Sequence, residues 1–127
     1  MTQSDVPPRA DGEGDLAYLT RVIAEFSAER DWGQFQDPKS LVLALVGEVG
    51  EVAELVQWIP ADDAVTHFAR PERKARIGEE IADVLVYLLR LADVLDVDVL
   101  AETIAKQGVA RRRFAVEAVH GRAPEKT

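Results

Sequence analysis

The chain has 127 residues, 47% hydrophobic and 30% charged, with a formal net charge of −8 and no cysteine. That is one domain's worth of soluble globular sequence; disulfides and thiolate chemistry are excluded, and the acidic balance argues against non-specific binding to nucleic acid or to an anionic membrane. The opening MTQSDVPPRADGEGD lacks the basic start and apolar stretch of a secretory signal, and acids cut every apolar run short of a membrane span, so a cytoplasmic location is expected.

Residues 1–14 read as a polar, disordered arm. A first helix is predicted from about Leu16 to Arg30, with Leu16, Leu19, Val22, Ile23 and Phe26 on one face and Asp15 placed to cap it. The segment DWGQFQD breaks that period and reads as a loop carrying Trp32 and Phe35, ending at Pro38, a favoured first helical position. A second helix follows to about Trp58, apolar over more than one face. Its Gly47 and Gly50 each cost roughly 1 kcal/mol relative to alanine, which points to close helix approach or to room for a ligand. After a loop or short irregular helix to about Arg70, a third helix is predicted from Pro71 or Glu72 to about Leu95. Asp96 to Asp98 reads as a turn with an N-cap, and a fourth helix continues to about His120, leaving 121–127 as a flexible tail. With no alternating pattern long enough for a strand, the class is all-α, a four-helix bundle over 15–120. Because the second and third helices are apolar nearly all round, one chain does not cover them, and homo-oligomerisation is expected to complete the bundle.

Chemistry concentrates in those two helices. Between Leu41 and Val56 the only charged residues are Glu48, Glu51 and Glu54, and between Ile81 and Leu89 the only one is Asp83, with Glu80 just before it. A carboxylate taken out of water without a partner costs several kcal/mol, roughly, so buried acids are normally paired or bound to a metal. Residues three apart on a helix share a face, so Glu48 with Glu51, and Glu80 with Asp83, can each aim their oxygens at one point. Oxygen ligands that leave room for water and phosphate suit Mg2+, with Mn2+ a substitute. Neither His67, in a loop, nor His120, at a helix end, suggests a zinc site. The absence of Glu-x-x-His motifs argues against a di-iron bundle. Arg111 to Arg113 read as a solvated face or ion-pair partners.

The segments RDWGQF, LVLALVGEVGEVAELVQW, EEIADVLVYLL and KQGVARRRF, in that order and spacing, resemble the MazG-like all-α nucleoside triphosphate pyrophosphohydrolases, and within them the dCTP pyrophosphatase branch, over about residues 16 to 120. The resemblance implies cleavage of a nucleoside triphosphate, dCTP-like or modified, between the α and β phosphates, giving monophosphate and pyrophosphate. It implies catalytic and Mg2+-binding roles for Glu48, Glu51, Glu80 and Asp83. For substrate binding it implies Lys106 and Arg113 near the phosphates, with Trp32, Gln36, Trp58 and Tyr87 around the nucleoside, in a homotetramer built as a dimer of dimers or else a homodimer. The chain departs from the pattern at Gly108, Ala110 and Phe114, where an Asp, an Asn and a Tyr are usual, and at Gln36 and Ser40, where a His and an Asn are usual. Altered or looser nucleotide selectivity is therefore expected. The rival reading is a non-catalytic helical interaction module with a vestigial nucleotide site, indifferent to chelation.

Overall fold

Gly14 leads into the first helix, α1 (Asp15–Glu29), without a side-chain cap. Asp15 is thus the first helical residue and not the cap expected of it; its carboxylate complements the helix N-terminus and pairs with Arg9 at 2.5 Å. The computed structural model describes residues 5–124; residues 1–4 of the expected arm and 125–127 of the expected tail lie outside them. The described part of the arm is tied down on α1. Tyr18 donates its hydroxyl to the Pro7 carbonyl at 2.6 Å, and Arg21 donates to the Pro8 carbonyl at 2.9 Å and to both Glu13 oxygens at 2.8 Å. The Arg9 and Arg21 guanidiniums also lie 5.0 and 5.5 Å from the centre of the Tyr18 ring.

The Arg21 fork, with the Ala10 amide, pulls the Glu13 carboxyl from 4.5 down to about 2. A depressed carboxyl stabilises above its unfolded value and loses that contribution as pH falls through the folded one. The 7–13 segment is therefore expected to loosen between about pH 4.5 and 2, and Glu13→Gln to loosen it at neutral pH. Amide hydrogen exchange of residues 10–18 measures both.

At the end of α1 the chain turns through Asp31, whose φ of 52° is a left-handed conformation that Asp tolerates better than most residues, and the Trp32 amide closes onto the Ser27 carbonyl at 2.9 Å. This closure sets Trp32 edge-on against Phe26, ring centres 5.5 Å apart, before a single 3-10 turn over Gly33–Phe35. Asp37 caps α2 (Pro38–Val56) by accepting from the Ser40 amide at 3.0 Å, with Pro38 in the first turn. That helix ends two residues short of the expected Trp58. The expected loop holds another 3-10 turn, Ala61–Asp63, and a four-residue helix, α3 (Ala64–His67). Next come the long α4 (Pro71–Val94) and a left-handed turn at Asp96, φ 54°.

The chain divides into two compact units, one up to Asp96 and one from Val97. In the first, α4 is the central element and packs most extensively on α2, then on α1. The second holds α5 (Val99–Arg113), capped by Asp98 accepting from the Ala101 amide at 3.0 Å, and α6 (Val116–Val119). The single fourth helix expected to reach His120 thus breaks at Phe114 and Ala115, whose ψ angles of 71° and 136° leave the helical region. Arg111, Arg112 and Arg113 fill the last turn of α5, where positive charge complements the helix C-terminus.

All described elements are helical, which bears out the all-α class. No helix among the described residues is long and apolar enough to cross a membrane. Leu41 and Leu89 are the fully buried apolar side chains among them, whereas Leu43, Val46 and Val49 on α2 and Ile81 and Leu88 on α4 are exposed. A Cβ added at Gly47 or Gly50 would meet no atom within 4 Å, so close approach by another helix of the described chain does not explain these glycines and the space beside Glu48 and Glu51 is open.

Candidate active site

Packing α2 against α4 turns the two acidic pairs toward each other. One carboxylate oxygen from each of Glu48, Glu80 and Asp83 lies within 4.8 Å of the others, a spacing that could hold a metal ion. Glu80 is 4% exposed, and one oxygen each of Glu48 and Glu80 is buried with no hydrogen-bond partner among the described residues. Buried acceptors left unsatisfied cost free energy that a cation can offset, and a set of hard oxygen donors fits a hard divalent ion.

The electrostatics of the cluster report the same crowding. Desolvation, then the charges of Asp83 and Glu80, hold the Glu48 carboxyl above its ordinary range. Glu51 is also raised, first by its hydrogen bond to Glu80 and then by the Glu80 and Glu48 charges. Glu80 is lowered, chiefly because Arg76, one turn earlier on α4, donates to it. Of this pair Glu51 is thus the more basic carboxylate and Glu80 the more acidic. Arg76, with 53% of its side chain exposed, is the cation that sequence reasoning missed; its position four residues before Glu80 was the available signal.

One helical turn from Glu48 and Asp83 along the same two helices, at Ala44 and Tyr87, the same unit holds an open cavity of about 290 Å³, lined by Trp32, Phe35 and Gln36 from the loop, Ser40, Leu41 and Ala44 from α2 and Tyr87 from α4. The structure thus brings together three residues expected around a nucleoside, Trp32, Gln36 and Tyr87, and adds Phe35, Ser40 and Ala44. Trp58 stands outside that lining, 87% exposed in the turn after α2. Lys106 and Arg113 lie on α5, in the other unit, where Arg113 sits 5.2 Å from the Phe114 ring centre. Arg90, on α4, was also missed; it reaches Gln36 across 54 positions, a separation that no local pattern reports.

An all-α scaffold with an acidic cluster suited to a divalent ion, next to an aromatic cavity, defines the class. Residues 36–107 match the MazG nucleotide pyrophosphohydrolase domain, and the chain belongs to that family. It is similar to dCTP pyrophosphatase 1 of Bos taurus, 44% identical over 111 residues that cover 87% of this chain and 66% of the relative. It is likewise similar to dCTP pyrophosphatase 1 of Mus musculus, 44% identical over 117 residues, 92% of this chain and 69% of the relative. The chain thus spans about two thirds of the length of these relatives. A solved structure of a pyrophosphatase from Archaeoglobus fulgidus superposes with a TM-score of 0.75 at 29% identity, covering 85% of this chain and 99% of that one.

Proposed function

We propose that the chain is a nucleotide pyrophosphohydrolase that cleaves a nucleoside triphosphate, dCTP-like or modified, between its α and β phosphates. The observation that carries this reading is the convergence of Glu48, Glu80 and Asp83 on one point, with two buried oxygens unsatisfied, beside the aromatic cavity. Glu48, Glu80 and Asp83 are the residues placed to hold Mg2+, or Mn2+ in its place, with Glu51 at the edge of the set. A cation bound there supplies charge neutralisation at the phosphate oxygens and helps position the triphosphate. The remaining work falls to side chains. Trp32, Phe35 and Tyr87 offer faces for stacking a base, and Gln36 and Ser40 offer polar contacts. Glu51, exposed at the edge of the cluster, is the proposed general base: neighbouring carboxylates raise its basicity, and in its ionised form it accepts the proton of the attacking water. Lys106 and Arg113 are the proposed phosphate contacts, and Trp58 a further cover for the nucleoside.

Pyrophosphate release from a panel of canonical and modified nucleoside triphosphates, with Mg2+ and with chelator, tests the reading. Metal-dependent release is the expected result; no release from any nucleotide, in a folded protein, moves the assignment to a non-catalytic interaction module. Glu51→Gln is expected to lower turnover by about 10² to 10⁴-fold, as removal of a general base does. Full turnover in that variant would take the base role from it.

The active form is proposed to be a homotetramer, or else a homodimer. Leu43, Val46 and Val49, with the open glycines beside them, and Ile81 and Leu88 are apolar side chains exposed on α2 and α4, the surface a second copy would cover. Light scattering is expected to return a multiple of 14.0 kDa, and Leu43→Lys to shift the mass towards one chain. The proposed location is cytoplasmic, with neither nucleic acid nor membrane as a partner, consistent with the net charge of −8.

A further inference from the structure

Gln36 lines the aromatic cavity, and its carbonyl oxygen accepts from Arg90 Nε at 2.8 Å. A guanidinium carries donors only, so the amide atom facing it must be the oxygen; the alternative amide orientation would set donor against donor. Arg90 is itself held, its side chain 15% exposed and its NH1 donating to Asp93 at 3.0 Å. What remains of the Gln36 amide is the NH2 group, which has no partner among the described residues. Ser40, on the same cavity, is fixed from the other side: its hydroxyl donates to Asp37 at 2.6 Å. The Ser40 hydroxyl and amide hold the Asp37 carboxyl below its ordinary range, so Asp37 is ionised and only accepts, and the Ser40 oxygen is left to a ligand as an acceptor.

We infer that Arg90 is a positioning residue for base selection, turning the Gln36 NH2 group toward the cavity as the donor that reads the base. The inference rests on the proposed nucleotide activity and names the feature that sets its selectivity. Two hydrogens on one nitrogen suit a base edge with neighbouring acceptors. Cytosine offers that in O2 and N3, and its amino group suits the Ser40 oxygen; thymine places N3–H between its two carbonyls and opposes the amide donor. Specificity built on hydrogen bonds depends on groups held in one orientation, and here a side chain outside the cavity lining holds it.

The test uses the full chain with Mg2+ and the α,β-imido analogues of dCTP and dTTP, titrated by calorimetry into the parent, Arg90→Leu, Arg90→Lys and Gln36→Glu. The parent is expected to prefer the cytosine analogue. Arg90→Leu is expected to lose about tenfold in that affinity, the equivalent of roughly one hydrogen bond, and most of the preference. Arg90→Lys, which keeps a donor for the carbonyl, restores much of the preference. Gln36→Glu keeps a partner for Arg90 but has no NH2 group, and loses the preference. An unchanged cytosine-to-thymine ratio in Arg90→Leu or Gln36→Glu, a parent without preference, or a parent that binds neither analogue overturns the inference. If Arg90→Leu fails to fold, Gln36→Glu and Arg90→Lys decide. Pyrophosphate release from dCTP, followed in parallel, separates the two readings: a parent that binds selectively but releases nothing ends the catalytic reading and leaves the role of Arg90 standing.

Discussion

Glu48→Gln is expected to reduce metal-dependent pyrophosphate release by about 10²- to 10³-fold, the scale on which removing one preorganised electrostatic group from a transition state acts. The same substitution is expected to raise the thermal unfolding midpoint of the metal-free protein. Both follow from one arrangement. Without a cation, Glu48 has a buried oxygen with no partner and faces the charges of Asp83 and Glu80, so an uncharged side chain of the same shape relieves repulsion. With a cation, that carboxylate becomes a ligand and its loss weakens the site. Calorimetric titration with Mn2+ and unfolding scans in chelator measure the two effects separately. A variant that lost activity and metal-free stability together would show that Glu48 supports the fold and would remove the proposed trade-off.

The clustering of Glu48, Glu80 and Asp83 is legible in the sequence because its parts are local: acids three residues apart in apolar helices declare a shared face before any tertiary contact is known. The contacts made across the fold are not. Gln36 and Arg90 meet only because the loop after α1 returns to α4, and nothing in either segment signals the other. Arg76 lies outside the apolar runs that mark the acidic pairs, and its pairing with Glu80 is legible only from their four-residue helical spacing. The helix boundaries departed where conformation depended on individual backbone angles. Phe114 and Ala115 are compatible with a helix by propensity, which predicts a continuous fourth helix, yet their backbone angles leave it. The expectation of a disordered arm followed from its composition, which does not register Tyr18 and Arg21 gathering the Pro7 and Pro8 carbonyls and Glu13 onto α1. The glycines of α2 were legible as an anomaly and not as a cause, since the space beside them is open in one chain.

The second large effect expected is a dependence of stability on pH that Mg2+ reverses. Glu48 and Glu51 have folded-state pKa values raised above 4.5, so the folded protein holds protons there more tightly than the unfolded chain. As pH rises from about 4.5 through those raised values, the folded state gives up the protons that relieve its crowding, and stability falls. Glu80 runs the other way: lowered by Arg76, its contribution is present above 4.5 and is lost only in more acidic solution. The metal-free protein should therefore lose stability as pH rises above about 4.5 through Glu48 and Glu51, while Glu80 opposes unfolding there. A cation that binds the ionised cluster favours the deprotonated folded state, and at about 100 times its dissociation constant it adds about 2.7 kcal/mol, or about 10 °C in midpoint for a domain of this size. Unfolding scans from pH 5 to 8, in chelator and in saturating Mg2+, should diverge as pH rises, and Glu48→Gln should flatten the metal-free curve while narrowing the gap. Parallel curves at every pH would place the ion, if it binds, away from these carboxylates.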